Sequence, residues 1–213
     1  MNVSIVSLSA HGADEVLVSF AITNGTDTQS ERLLVSAAAV ADLRLSVGEC
    51  DPGCFDAVLA ASQMYAATKR GLALLSFGRH SPKMLVRKLL QKGIARDVAA
   101  EAVKGLIRQG YLNPRADAYA EATTCVAKGW GEMRISSALR EKGYADPVIR
   151  YALDRLEEDG VDYTAACAAW IQRRFPERPT DPRERAKMYA SLARYGYTSS
   201  NIRDALRLLE KDS

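Results

Sequence analysis

The spacing of apolar positions changes once along this chain, near Tyr65. Before that point VSIVSLS, EVLVSFAI and ERLLVSA are short runs rich in Val, Ile and Ser. AHGAD and TNGTDTQ separate them, and their Gly, Asn and Asp favour turns. The pattern predicts two or three strands of a small antiparallel sheet. AAAVADL and FDAVLAASQ then read as short helices on either side of a VGECDPG turn. From Tyr65 onward the period is 3.6, the mark of amphipathic helices.

The helical part repeats itself. KLLQKGIARDVAAEAVKGL (88–106) returns as ALREKGYADPVIRYALDRL (138–156) and again as SLARYGYTSSNIRDALRLL (191–209). Aligned on Gly93, Gly143 and Gly196, the preceding helix carries Leu85/Leu89, Ile135/Leu139 and Met188/Leu192. Each pair is four apart and so lies on one face. After the glycine come Ile94, Tyr144 and Tyr197, and then a second helix. Its apolar stripe is Ala99/Ile149/Ile202, Ala102/Ala152/Ala205, Val103/Leu153/Leu206 and Leu106/Leu156/Leu209.

The glycine suits a helix that must end in a left-handed residue, with the large residue after it folding back on the helix end. Ser81-Pro82 reads as N-cap plus first helical residue, and Asp146-Pro147 as another such pair. A leading helix precedes each unit, at 65–77, 117–128 and about 163–175. The expected fold is therefore mainly α: a tandem array of three three-helix repeats, elongated and curved, with a small N-terminal α+β segment. The expected boundaries are 1–64, 65–112, 113–160 and 161–213.

Charge divides at the same place. Residues 1–64 hold two basic and eight acidic groups, whereas 65–213 hold 27 basic and 18 acidic ones. A basic helical body suits a polyanion or an acidic protein face. The cations recur around the middle helix of each unit. Arg87, Lys88 and Lys92, with Arg79 and Lys83 on neighbouring turns, serve the first. Arg134, Arg140 and Lys142, with Lys128 before them, serve the second, and Arg183, Arg185, Lys187 and Arg194 the third. Such groups pair with phosphates, with a steep salt dependence, or with carboxylates through bidentate arginine. Ordinary solvated helix surface is the plain alternative for any one of them.

Other chemistry is sparse. Cys50 and Cys54 flank a turn, and a tetrahedral zinc site needs four ligands, so Cys50, Cys54, Cys125 and Cys167 are expected to be reduced structural thiols. His11 and His80 sit beside turns with no compelling acid or nucleophile near them in sequence. GxxxxGK[ST], GxGxxG and HExxH are absent, so neither a catalytic residue nor a cofactor is expected. Mean hydropathy is −0.16, no apolar stretch approaches the roughly 20 residues of a membrane span, and the N-terminus lacks a basic leader. A cytoplasmic location is expected.

At SPKMLVRKLLQKGI the chain resembles the RecX regulatory proteins of bacterial recombination, through Ser81, Leu85, Lys88, Leu89, Lys92, Gly93 and Ile94. The second unit adds Tyr119, Ala120, Ile135, Leu139 and Lys142-Gly143-Tyr144. The sequence departs from that pattern at Asn113-Pro114-Arg115-Ala116, where paired acids are usual, and at the Lys128-Gly129-Trp130-Gly131-Glu132 turn. It departs again at Tyr195, which replaces the lysine of the other two units. The resemblance implies a non-enzymatic negative modulator of RecA. Such a protein docks in the groove of the RecA filament on single-stranded DNA, suppresses ATPase and strand exchange, and in many members binds single- and double-stranded DNA directly. Two exposed array ends suggest a monomer. A general nucleic-acid-binding repeat protein without a dedicated protein partner is the competing expectation. A plain protein scaffold explains the array but not the basic body.

Overall fold

The computed structural model describes residues 2–177 and 179–211. Among them are a four-stranded sheet and ten helices. The sheet is antiparallel, in the order β3-β2-β1-β4, built from β1 (Asn2–Ala10), β2 (Glu15–Asn24), β3 (Asp27–Ser36) and β4 (Gly48–Cys50). Of the two or three strands expected, all three runs form strands. β4 corrects the expected turn: its three residues pair with Val3, Ser4 and Ile5 on the edge of β1. Val3, Ile5, Val18, Phe20 and Val35 fill the inner face of the sheet.

The short helix α1 (Ala37–Asp42) is capped by Ser36. α2 then runs unbroken from Pro52 to Ser76, 25 residues. The separate helices expected over FDAVLAASQ and 65–77 are one, and position 65 falls inside it. Asp51 caps its start by accepting from the Gly53 amide at 2.7 Å, with Pro52 as first residue. The only glycine between Phe55 and Ser76 is Gly71, where the missing side chain admits Leu106; a Cβ there would stand 2.7 Å from Leu106 Cδ1. One half of α2 covers the sheet through Val58 and Phe55, whose ring meets Phe20 edge-on at 5.2 Å. Further along, Tyr65 donates to Glu15 of β2 at 2.8 Å, and Lys69 pairs with the same carboxylate.

The remaining helices are α3 (Pro82–Gln91), α4 (Arg96–Arg108), α5 (Pro114–Ala127), α6 (Glu132–Glu141), α7 (Asp146–Glu158), α8 (Tyr163–Arg174), α9 (Pro182–Arg194) and α10 (Ser199–Lys211). By contact the chain divides into two compact units. One comprises Met1–Gly78 with Leu85–Leu112, the other Arg79–Met84 with Asn113–Ser213. In the first, Leu85, Leu89, Ala99, Val103, Leu106 and Leu112 form the helical core. In the second, Ile135, Leu139, Tyr144, Ile149, Ala152 and Leu156 form one core, and Met188, Leu192, Tyr197, Ile202, Ala205 and Leu209 another. All of these except Leu112 are positions that the repeat alignment picks out.

The three glycines behave alike. Gly93, Gly143 and Gly196 have φ of +81°, +87° and +91°. The amides of Ile94, Tyr144 and Tyr197 reach back five residues to Leu89, Leu139 and Leu192 at 3.1–3.2 Å, which closes each middle helix with a Schellman bond. Ser81 caps α3 as expected, accepting from the Met84 amide at 3.1 Å. Asp146 is not a cap. Ala145 holds that position, and Asp146 lies inside α7, where it accepts from Arg140 at 3.0 Å instead. Asn113 caps α5 by accepting from Ala116 at 3.1 Å, with Pro114 as its first residue.

Candidate partner-binding surface

Inside the second unit the middle helices meet end to end. Ser81 at the head of α3 is 2% exposed, and its hydroxyl donates to the Lys142 carbonyl at 2.5 Å, in the turn that ends α6. The head of α6 does the same on α9. The Gly131 amide donates to Tyr195 O at 2.8 Å and the Met133 amide to Gly196 O at 3.1 Å. Tyr197 adds a bond from its hydroxyl to Gly129 O at 2.9 Å. At each joint the positive end of one helix dipole faces the negative end of the next. The approach is close enough that a Cβ on Gly196 would lie 2.4 Å from the Arg134 amide nitrogen.

Around these joints lie the cations singled out from sequence, in unlike settings. Arg134 stacks on Trp130, its guanidinium carbon 4.1 Å from the ring centre, and faces Tyr195 at 5.2 Å. Lys128 Nζ lies 5.5 Å from the ring centre of the same indole. Such contacts contribute about 0.5–2 kcal/mol and fix the direction of a charge. Trp130 is also packed against the core of α5–α7. Arg140 is tied to Asp146, Lys142 to Glu121, and Arg79 approaches Asp117 at 3.8 Å. Burial outweighs Arg79 and holds the Asp117 carboxyl above its ordinary range.

The rest, Lys88 apart, are exposed. Arg183, Lys187 and Arg194 follow spacings of four and seven, which puts them on one face of α9. Lys83 and Arg87 are likewise four apart on α3, both exposed, whereas Lys88 is half-buried and Lys92 stands in the turn after the helix. Arg185 lies on a different side of α9. On α6, Arg134 and Arg140 are six apart, about a third of a turn out of line. The helices therefore share basic character but not one continuous in-register stripe; Lys92 matches Lys142, Arg134 matches Lys187, and the others do not coincide. Sequence reading missed Arg173 of α8, which with Lys128, Trp170 and Tyr197 lines a cavity of about 240 Å³. Arg173 and Lys128 are 45 positions apart, so their place on one cavity left no local signal.

The chain is 31% identical, over 148 residues, to the regulatory protein RecX of Halorhodospira halophila (strain DSM 244 / SL1). The match spans 69% of this chain and 90% of that relative. It belongs to the RecX family of regulatory proteins. The regulatory protein RecX of Xanthomonas axonopodis pv. citri (strain 306) is 36% identical over 140 residues, 65% of this chain and 85% of that one. Residues 161–206 match the family model of the third three-helix domain of RecX. A crystal structure of a regulatory protein RecX superposes with a TM-score of 0.72 at 21% identity, covering 95% of this chain and 99% of the other. RecX from Lactobacillus salivarius gives 0.61 at 20%, covering 70% and 98%. The fold, mainly helical with a small N-terminal antiparallel sheet, is thus that of RecX. Among the described residues no helix is long and apolar enough to cross a membrane.

Proposed function

We propose that this RecX-family protein is a non-enzymatic negative regulator of the RecA recombinase. It acts in the cytoplasm by binding along the RecA filament on single-stranded DNA, and it inhibits ATPase and strand exchange. It also binds single- and double-stranded DNA directly, more weakly. The observation that carries this reading is membership of a family of regulatory proteins by a match spanning nine-tenths of a relative. Two features support it. Each middle helix carries basic residues, though not at matching positions, so weak contacts to successive protomers of a filament add through high effective concentration. The exposed cations Lys83, Arg87, Lys92, Arg183, Arg185, Lys187 and Arg194 suit carboxylates or phosphates, and Arg134, held by two rings, offers a pre-set guanidinium. Lys88, Lys128, Arg79, Arg140 and Lys142 complete the proposed surface. The functional units are proposed as repeats at 65–112, 113–160 and 161–213 behind an acidic head.

The test is RecA's single-strand-dependent ATPase titrated with this protein, with and without excess single-stranded DNA. Inhibition well below one molecule per RecA, unchanged by added DNA, is expected. Inhibition that added DNA abolishes would make the chain a general nucleic-acid-coating protein, and no inhibition would overturn the RecA reading altogether.

A further inference from the structure

Two of the three glycine turns are filled by the chain itself, and the third is open. The Gly143 turn receives the head of α3, with Ser81 Oγ and Lys83 Cβ each 3.1 Å from where a Cβ would stand. The Gly196 turn receives the head of α6, through the two amide bonds to Tyr195 O and Gly196 O. Gly93 has the same left-handed backbone and the same Schellman closure, yet among the described residues nothing lies within 4 Å of its Cβ position. Beside it is a cavity of about 230 Å³ lined by Gln63, Ala66, Arg70, Ile94, Ala95 and Val98. Its residue after the glycine is Ile94, half-buried, where the filled turns have nearly buried tyrosines.

The other half of a joint is also present. α9 is the middle helix whose head has no turn to dock on within its unit. Asp181, Pro182, Arg183 and Glu184 are exposed, and the Asp181 side chain makes no capping bond. α9 begins six residues before its core residue Met188, whereas α3 begins three before Leu85. The extra turn lengthens the reach of this head by about 4.5 Å. Its acids, Asp181 and Glu184, complement Arg70 and Lys92 beside the open turn.

We propose that the Gly93 turn is a joint of the same kind that receives the head of α9 from a second copy of this chain, continuing the array from one molecule to the next. The Arg183 amide of α9 would donate to the Gly93 carbonyl, as the Met133 amide of α6 does to Gly196; Asp181 stands where α6 has the N-cap Gly131, so the second amide bond of that joint is not repeated. The contact is head-to-tail and does not close on itself, so it builds chains rather than a symmetric dimer. It departs from the monomer expected from sequence. It rests on the two filled joints and stands apart from any reading of the regulated partner.

The test is sedimentation equilibrium of the full chain over a concentration series, at low and high salt. The expected weight-average mass rises with concentration and passes twice the 23.2 kDa of one chain without a plateau, less so in high salt. Ala95→Arg fills the open turn, and the pair Asp181→Arg with Glu184→Arg removes the complementary acids; all three positions are exposed, and circular dichroism checks that each variant is folded. Each variant alone is expected to stay at the mass of one chain, and an equimolar mixture to stop at a pair, because each retains one working end. A wild-type chain that remains monomeric at its highest soluble concentration overturns the proposal. So does association that neither variant weakens, since that would place the contact elsewhere.

Discussion

Replacing each glycine of the three turns by alanine separates backbone strain from joint packing. All three residues have φ near +85° to within a few degrees, so an L-residue with a side chain pays the same left-handed penalty at each, about 1–2 kcal/mol. What differs is what the new methyl meets. At Gly93 it meets nothing within 4 Å, so Gly93→Ala costs the strain alone. At Gly143 it comes to 3.1 Å from Ser81 Oγ and Lys83 Cβ, which have some freedom to give. At Gly196 it stands 2.4 Å from both the Arg134 Cβ and its amide nitrogen, and 2.9 Å from the Arg134 Cα. Backbone cannot swing aside, and overpacking of this kind adds about 1–3 kcal/mol. The expected order of destabilisation is Gly93→Ala, then Gly143→Ala, then Gly196→Ala, with the last at about 2–5 kcal/mol. Urea unfolding followed by far-ultraviolet circular dichroism gives all three values. The fluorescence of Trp130 and Trp170 follows the second unit separately. Equal losses at 93 and 196 would refute the idea that the joint, rather than the turn, sets the cost.

Four further outcomes follow from the same contacts. Ser81→Ala removes both a cap and the bond to Lys142 O at a buried site, and should cost about 1–3 kcal/mol in denaturant unfolding. Tyr163→Phe should be neutral or stabilising by about 1 kcal/mol, because the Tyr163 hydroxyl is buried with no hydrogen-bond partner among the described residues. Lys69 and Tyr65 hold the Glu15 carboxyl below its ordinary value of 4.5. A depressed folded-state value means that its stabilisation is complete at neutral pH and is lost as pH falls below that value. Unfolding curves of Glu15→Gln should accordingly show a shallower acid limb than wild type. Lys187→Glu with Arg194→Glu reverses two charges on one face of α9, and should weaken single-strand binding while lowering its salt slope by about 1.4.

The helical core was legible because two signals fix its register independently. The 3.6 period chooses the face, and a glycine with obligatory positive φ anchors the count, so Leu85, Ile135 and Met188 could be aligned without any structure. β4 was not legible: Gly48-Glu49-Cys50 is too short to alternate, and it is a strand only because β1 offers an edge. The division at Tyr65 followed a change in composition and period, but only a Pro, a turn or a cap ends a helix, and none lies between Phe55 and Ser76. The cationic surface was readable as a set and not residue by residue. Arg140 with Asp146, Lys142 with Glu121, and Arg134 between Trp130 and Tyr195 are pairings across turns and helices that local sequence does not encode. The end-to-end joints were hidden for the same reason, although Ser81 and Gly131 mark their heads.

The unbroken α2 bears on how the chain is made. A nascent chain cannot finish this helix until Ser76 has emerged, and the sheet cannot bury Val3, Val18 or Phe20 until the half of α2 carrying Phe55 and Val58 has formed. The other half carries Gly71 against Leu106, so α4 must emerge before that face is covered. The acidic head and the first helices after it should thus mature as one cooperative piece, late in synthesis of the N-terminal half. A fragment cut at residue 64 or 65 would sever a helix in mid-span, stripping its C-terminal part of both the Asp51 cap and the sheet, and the sheet of the Tyr65 and Lys69 bonds to Glu15. The head is accordingly not a detachable module, and gene fusions or truncations that respect this chain must begin before Asp51 or leave α2 whole.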